Sequence, residues 1–109
     1  MPRPRKCRFI GIEPIAHFYK PQSIKMRDLE QIILSHDQLE ALHLADALKL
    51  EQVEAAKLMN ISRSTFSRLV NEARNIVAKA LVNGWALKIE GGDFIIQTEK
   101  SPQNNSNNL

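Results

Sequence analysis

Apolar side chains recur at two different periods along this chain, and the changes of period divide it into elements. Phe66, Leu69, Val70, Ala73, Ile76, Val77, Ala80 and Leu81 fall at spacings of three and four, which predicts one long helix with a continuous apolar face. Asn83 and Gly84 follow it, and glycine suits the left-handed position that closes a helix. Upstream, Leu39, Leu42, Ala45 and Leu48 predict a helix that begins at Asp37, with Glu40 as the partner in a capping box. Glu51 to Met59 predicts a short Ala-rich helix. Leu29, Ile32 and Ile33 place a further helix over Met26 to Leu34.

Period two appears at the two ends. Trp85, Leu87 and Ile89 alternate with Ala86, Lys88 and Glu90; Gly91-Gly92 is a hairpin turn signal, and Asp93 to Thr98 supplies the return strand. Arg8 to Ile12 reads as a short strand, after which Gly11, Pro14 and Pro21 make the chain irregular. A lone hairpin is marginal in water, so the N-terminal strand is its candidate partner, from the same chain or from a second copy. The fold class is mostly α: a helix-turn-helix domain with a small β element. Residues 1–8 form a basic arm, 9–99 a single domain with a C-terminal hairpin, and 100–109 a polar tail rich in asparagine that reads as disordered.

The window from Gln52 to Val70 meets the steric demands of a helix-turn-helix. Ala55 and Ala56 are small enough for two helices to cross, and Met59 buries the end of the first. Asn60 tolerates the positive φ of a tight elbow, Ile61 plugs it, and Ser62 can cap the second helix through the amide of Thr65. Phe66 and Leu69 return that helix to the core. Its opposite face carries Arg63, Ser64, Ser67, Arg68 and Asn71, with no carboxylate before Glu72. Arginine reads guanine O6 and N7, asparagine can read adenine, and serine suits phosphates or bases. Gln52, at the start of the preceding helix, is placed to offer backbone N–H groups to a phosphate, and Arg74 extends the basic face.

Charge sharpens this reading. The net charge is +3, and Arg3, Arg5, Lys6 and Arg8 put four cations in the first eight residues. Without those four, eleven basic residues face twelve acidic ones, a balance of −1, so all the excess positive charge sits in the arm. Such an arm suits a polyanion, and double-stranded DNA is the expected partner.

Other chemistries find little footing. Cys7, His17, His36 and His43 match no compact ligand spacing, and no nucleophile–base set or glycine-rich phosphate loop is present. The expectation is therefore no metal, no cofactor and no enzymatic activity. Asp46 reads as a structural partner for an arginine. No apolar run approaches a membrane span, no signal peptide is recognisable, and one cysteine fits a reducing compartment; the expected location is the cytoplasm.

The opening Met-Pro-Arg-Pro-Arg-Lys-Cys-Arg, the segment Asp37-Gln-Leu-Glu-Ala-Leu, the Glu54-Ala-Ala triplet and Ser62-Arg-Ser-Thr-Phe with Glu72-Ala-Arg resemble a prokaryotic family of predicted DNA-binding proteins, domain of unknown function one-three-four. Its helix-turn-helix is similar to region four of sigma factors. The resemblance covers Met1 to about Ile96. It implies sequence-specific DNA binding, with Arg63, Ser64 and Arg68 on the recognition helix. The chain departs from the family's commoner pattern at Glu51, Asn60 and His43, where Ser or Thr, Gly and Arg are more usual. The expected function is transcriptional regulation by a homodimer. The alternative is a module that docks on the transcription machinery, RNA polymerase included, without reading DNA.

Overall fold

The longest apolar stripe forms the longest helix. In the computed structural model, which describes residues 7–96, α3 spans Arg63–Asn83. Ser62 Oγ caps it by accepting from the Thr65 amide at 3.1 Å, and Gly84 closes it at φ +67°. Phe66, Leu69, Val70, Ala73 and Ala80 are buried, whereas Leu81, the last residue of the expected stripe, is 78% exposed. Arg3, Arg5, Lys6, Thr98 and the 100–109 tail lie outside the described residues.

Two shorter helices pack against α3. α1 (His36–Leu42) runs into a wider turn over His43–Ala47, where the Leu48 amide reaches back five residues to the His43 carbonyl at 2.8 Å. α1 starts one step earlier than expected, and its cap is different. Ser35 Oγ accepts from the Gln38 amide, while Gln38 Oε1 accepts from the Ser35 amide at 2.9 Å. Asp37 and Glu40, the expected capping pair, are buried instead. α2 (Gln52–Met59) follows, with Glu51 at its N-cap making no side-chain hydrogen bond. Asn60, at φ +60° and ψ +43°, then turns the chain into α3 through Ile61 and Ser62.

The remaining elements are short strands: β1 (Arg8–Ile10), β2 (Phe18–Tyr19), β3 (Gln31–Leu34), β4 (Ala86–Ile89) and β5 (Phe94–Ile96). The helix expected over Met26 to Leu34 is absent. Met26–Asp28 makes one 3-10 turn, and Gln31–Leu34 is a strand with Leu34 buried and Ile33 exposed. Its short apolar run suits either element, and pairing with β4 decides. The expected hairpin is absent too. β4 lies between β2, antiparallel, and β3, parallel, so both its edges are occupied. Gly91 and Gly92 instead carry the chain across the start of α1, where the Gly91 carbonyl accepts from the His36 amide at 3.0 Å and His36 Nδ1 at 2.9 Å. β5 then pairs in parallel with β1, Arg8 opposite Phe94. The N-terminal strand thus finds its partner within the same chain.

The core has two centres along α3. Near its start, Phe66, Leu69 and Val70 pack with Ala41 and Leu44 from the α1 region and with Ala55, Ala56 and Met59 of α2. Further along, Ala73 meets Leu34 of β3 and Ile89 of β4, with Ile76 and Val77 beside them. Full burial of residues such as Phe66 and Met59 stabilises by about 1.5–3 kcal/mol each. Because both centres grip α3 from the inside, its other face is left to solvent over the first three turns.

Candidate nucleic-acid interface

Burial of Phe66, Leu69, Val70 and Ala73 dictates where their helical neighbours point. With 100° between residues, Ser64, Ser67, Arg68 and Asn71 fall on the opposite arc. Arg63, Ser64, Ser67, Arg68 and Asn71 line one open groove, and Gln52 at the start of α2 forms its other wall. These are six of the residues expected from the sequence, brought together from two helices. Glu72 and Asn75 line it as well. Asn75 escaped the sequence reading, although it follows Asn71 by four residues and so continues the same face.

Arg63 and Arg68 are exposed, and among the described residues neither is in an ion pair. Glu72 is the groove's single carboxylate. The cap of α3 is itself polar: Ser62 Oγ donates to Thr65 Oγ1 at 2.9 Å and lies 3.3 Å from Ser64 Oγ. At the start of α2, the Glu51 side chain makes no hydrogen bond to the amides that open the helix.

Two other expected contacts are engaged elsewhere. Arg8 sits in β1, and its guanidinium donates to Asp37. The basic segment therefore does not extend freely through residue 8. Arg8 nevertheless borders a cleft with Thr65, Arg68 and Glu72, so the chain enters the domain beside the exposed face of α3. Arg74 donates through Nε and Nη2 to the two oxygens of Asp46, at 3.0 and 2.8 Å, and through Nη1 to Asn71 Oδ1 at 3.3 Å. The bonds to Arg74 hold the Asp46 carboxyl below the ordinary aspartate range and raise the guanidinium in turn. Asp46 is thus the partner of an arginine, as its setting suggested, and Arg74 lies outside the groove.

Two of the histidines pack with an aromatic ring of β5 or with each other. His36 stacks on Phe94 with ring centroids 4.6 Å apart, and His17 meets its edge at 6.3 Å. Cys7 is exposed. Among the described residues, no three His, Cys, Asp or Glu side chains are grouped as a metal site requires, and no helix is long and apolar enough to cross a membrane.

Comparison with known proteins finds relatives over nearly the whole chain. The model of the family described as "Protein of unknown function DUF134" matches residues 1–97. A UPF0251 protein of Rhodospirillum rubrum is 58% identical over 92 residues, covering 84% of this chain and 64% of its own length. The chain therefore spans somewhat less than two thirds of that relative. A UPF0251 protein of Thermoanaerobacter pseudethanolicus is 46% identical, covering 91% of this chain and 84% of its own. One from Dehalococcoides mccartyi is 54% identical, covering 88% and 82%. No solved structure matches the chain.

Proposed function

The chain belongs to this family of uncharacterised prokaryotic proteins, and we propose that it binds double-stranded DNA in a sequence-specific way through a helix-turn-helix formed by α2, the Asn60 elbow and α3. One observation carries the reading. Arg63 and Arg68, unpaired among the described residues, share a groove with Ser64, Ser67 and Asn71 while the opposite face of α3 is locked into the core. α3 is the recognition helix, its first turns lying in the major groove with side chains at base edges. The amides at the start of α2, beside Gln52, take a phosphate, since helix N-termini favour anions. Arg3, Arg5 and Lys6 precede the point where the chain meets Arg68, and their charge suits the neighbouring backbone.

The proposed role is a transcriptional regulator in the cytoplasm, similar in its DNA-binding unit to region four of sigma factors, with no catalytic function. One such module contacts little DNA, so the proposal includes a homodimer. β1 and β5 are paired within one chain, and the exposed Leu81 and Val82 near the end of α3 are one apolar surface open to a second copy. The same end of α3 favours a second reading. An apolar groove lined by Tyr19, Pro21, Leu81 and Trp85 offers a docking surface for the transcription machinery.

Selection of binding sites from a random duplex pool, followed by mobility shifts with Arg63→Ala and Arg68→Ala, tests the proposal. Each substitution is expected to cost about 1–3 kcal/mol of specific affinity. Failure of the folded wild-type protein to shift any duplex at low salt would leave the docking reading in its place.

A further inference from the structure

Arg74 divides its donors between two acceptors on different elements. Nε and Nη2 grip both oxygens of Asp46, at 3.0 and 2.8 Å, and Nη1 remains for Asn71 Oδ1 at 3.3 Å. Asp46 is carried by the widened turn His43–Ala47, so the fork is held from outside α3. A guanidinium has donors only, whereas the Asn71 amide has one acceptor end and one donor end. The opposite amide orientation would set Nδ2 against a cation. Asn71 lines the groove and Arg74 does not. With Oδ1 turned to Arg74, the planar amide presents Nδ2 on its other side.

We propose that the Asp46–Arg74 pair is a positioning device that fixes Asn71 as a donor, so that this side chain selects guanine or thymine and not adenine. The inference rests on the DNA-binding reading above and adds base identity to it. Adenine is read by asparagine through a bond in each direction, one accepted from N6 and one given to N7. That requires Oδ1 and Nδ2 to face the base together, whereas here Oδ1 is turned toward Arg74. Guanine offers O6 and N7, and thymine O4, all of them acceptors, whereas adenine sets the N6 donor beside its N7 acceptor, so a group that only donates meets one match and one mismatch there. An asparagine at this position therefore reads bases differently when its oxygen is held away from the base.

The experiment is site selection followed by competition binding with the full chain, comparing wild type with Asn71→Ala, Arg74→Ala, Arg74→Lys and Asp46→Asn. Asp46 and Arg74 have side chains 44% and 46% exposed, so the fold tolerates these changes, and circular dichroism checks it. Asn71→Ala defines the position read by this residue, as the one at which discrimination is lost. Wild type is expected to prefer guanine or thymine there. Arg74→Lys keeps the charge but lacks the fork; it and Asp46→Asn are expected to move that position toward adenine on the order of tenfold, with the rest of the site unchanged. A wild-type preference for adenine or cytosine at that position overturns the inference. So does an unchanged preference in Arg74→Lys, or the absence of any position that responds to Asn71→Ala. Absence of DNA binding by wild type removes the parent reading as well, and is seen before any variant is compared.

Discussion

Arg8 and Asp37 form an ion pair that joins β1 to the first turn of α1, with their side chains only 18% and 4% exposed. Ser35 Oγ also donates to Asp37, and Gly92 packs against it so closely that a Cβ there would stand 2.4 Å from Oδ1. Gly92 is at φ +105°, a conformation glycine adopts without strain. One carboxylate thus gathers the N-terminal strand, the helix start and the approach to β5. Arg8→Ala removes the cation and leaves the carboxylate buried, which is expected to destabilise by about 3 kcal/mol. Urea unfolding at neutral pH measures it. A loss under about 1 kcal/mol, the range of exposed pairs, would show that water reaches Asp37 freely.

Glu40 predicts a pH dependence of opposite sense to most carboxylates. Burial raises its pKa above the ordinary 4.5; backbone hydrogen bonds from Gly11 and Ile12 and the charge of His43 oppose the rise without cancelling it. Its Oε1 has no hydrogen-bond partner among the described residues. The folded state therefore holds a proton over a range in which the unfolded chain has released it. Linkage makes this contribution to stability full below 4.5 and declining as pH rises toward the folded value. Glu40→Gln keeps a neutral group at every pH. Its stability relative to wild type is expected to improve between about pH 4 and pH 7 in urea titrations. A difference that is constant, or that falls with pH, would contradict the burial argument.

What could be read from the sequence, and what could not, follows the range of the interaction that decides each element. α3, its Ser62 cap, the Asn60 elbow and the Gly84 stop depend on neighbours within one or two turns, and all stand where the pattern put them. Gln31–Leu34 became a strand because β4 lies alongside, more than fifty residues away in sequence. Gly91-Gly92 is a local hairpin signal overruled by the same strand, whose edges β2 and β3 already occupy. The groove follows the same rule. Ser64, Ser67, Arg68 and Asn71 are placed by the helical period and Arg63 by its position as the first residue of α3, whereas the acidic partners of Arg8 and Arg74 lie 29 and 28 residues away. A basic residue on an outer face is legible, and Asp46 could be read as an arginine's partner; which arginine it claims could not.

Asn60 gives a direct test of the elbow. At φ +60° a Cβ meets the backbone, at a cost of roughly 1–2 kcal/mol for ordinary residues, and asparagine relieves part of it by local hydrogen bonding. Asn60→Gly is expected to match or exceed wild-type stability. Asn60→Ala is expected to lose about 1 kcal/mol, a fall of roughly 4–8 °C in Tm for a domain of this size. The same loss in both variants would mean that the Asn60 side chain, not the backbone angle, is what the elbow needs.

The salt dependence of DNA binding separates the cations that reach phosphate from those the fold retains. Each phosphate neutralised contributes about −0.9 to the slope of log K against log salt. With Arg3, Arg5 and Lys6 in the arm and Arg63 and Arg68 on α3, the expected slope is about −4 to −5 per protomer. Deleting residues 1–6 is expected to remove between 2 and 3 of that, by roughly one unit per cation. Arg8→Ala, measured where the variant is still folded, is expected to leave the slope unchanged, because Asp37 already holds the guanidinium. Arg63→Ala or Arg68→Ala reduces the slope where the residue meets phosphate, and relaxes base preference at constant slope where it meets a base. A slope that falls by a full unit in Arg8→Ala would put that side chain on DNA, and its pairing with Asp37 would then have to open on binding.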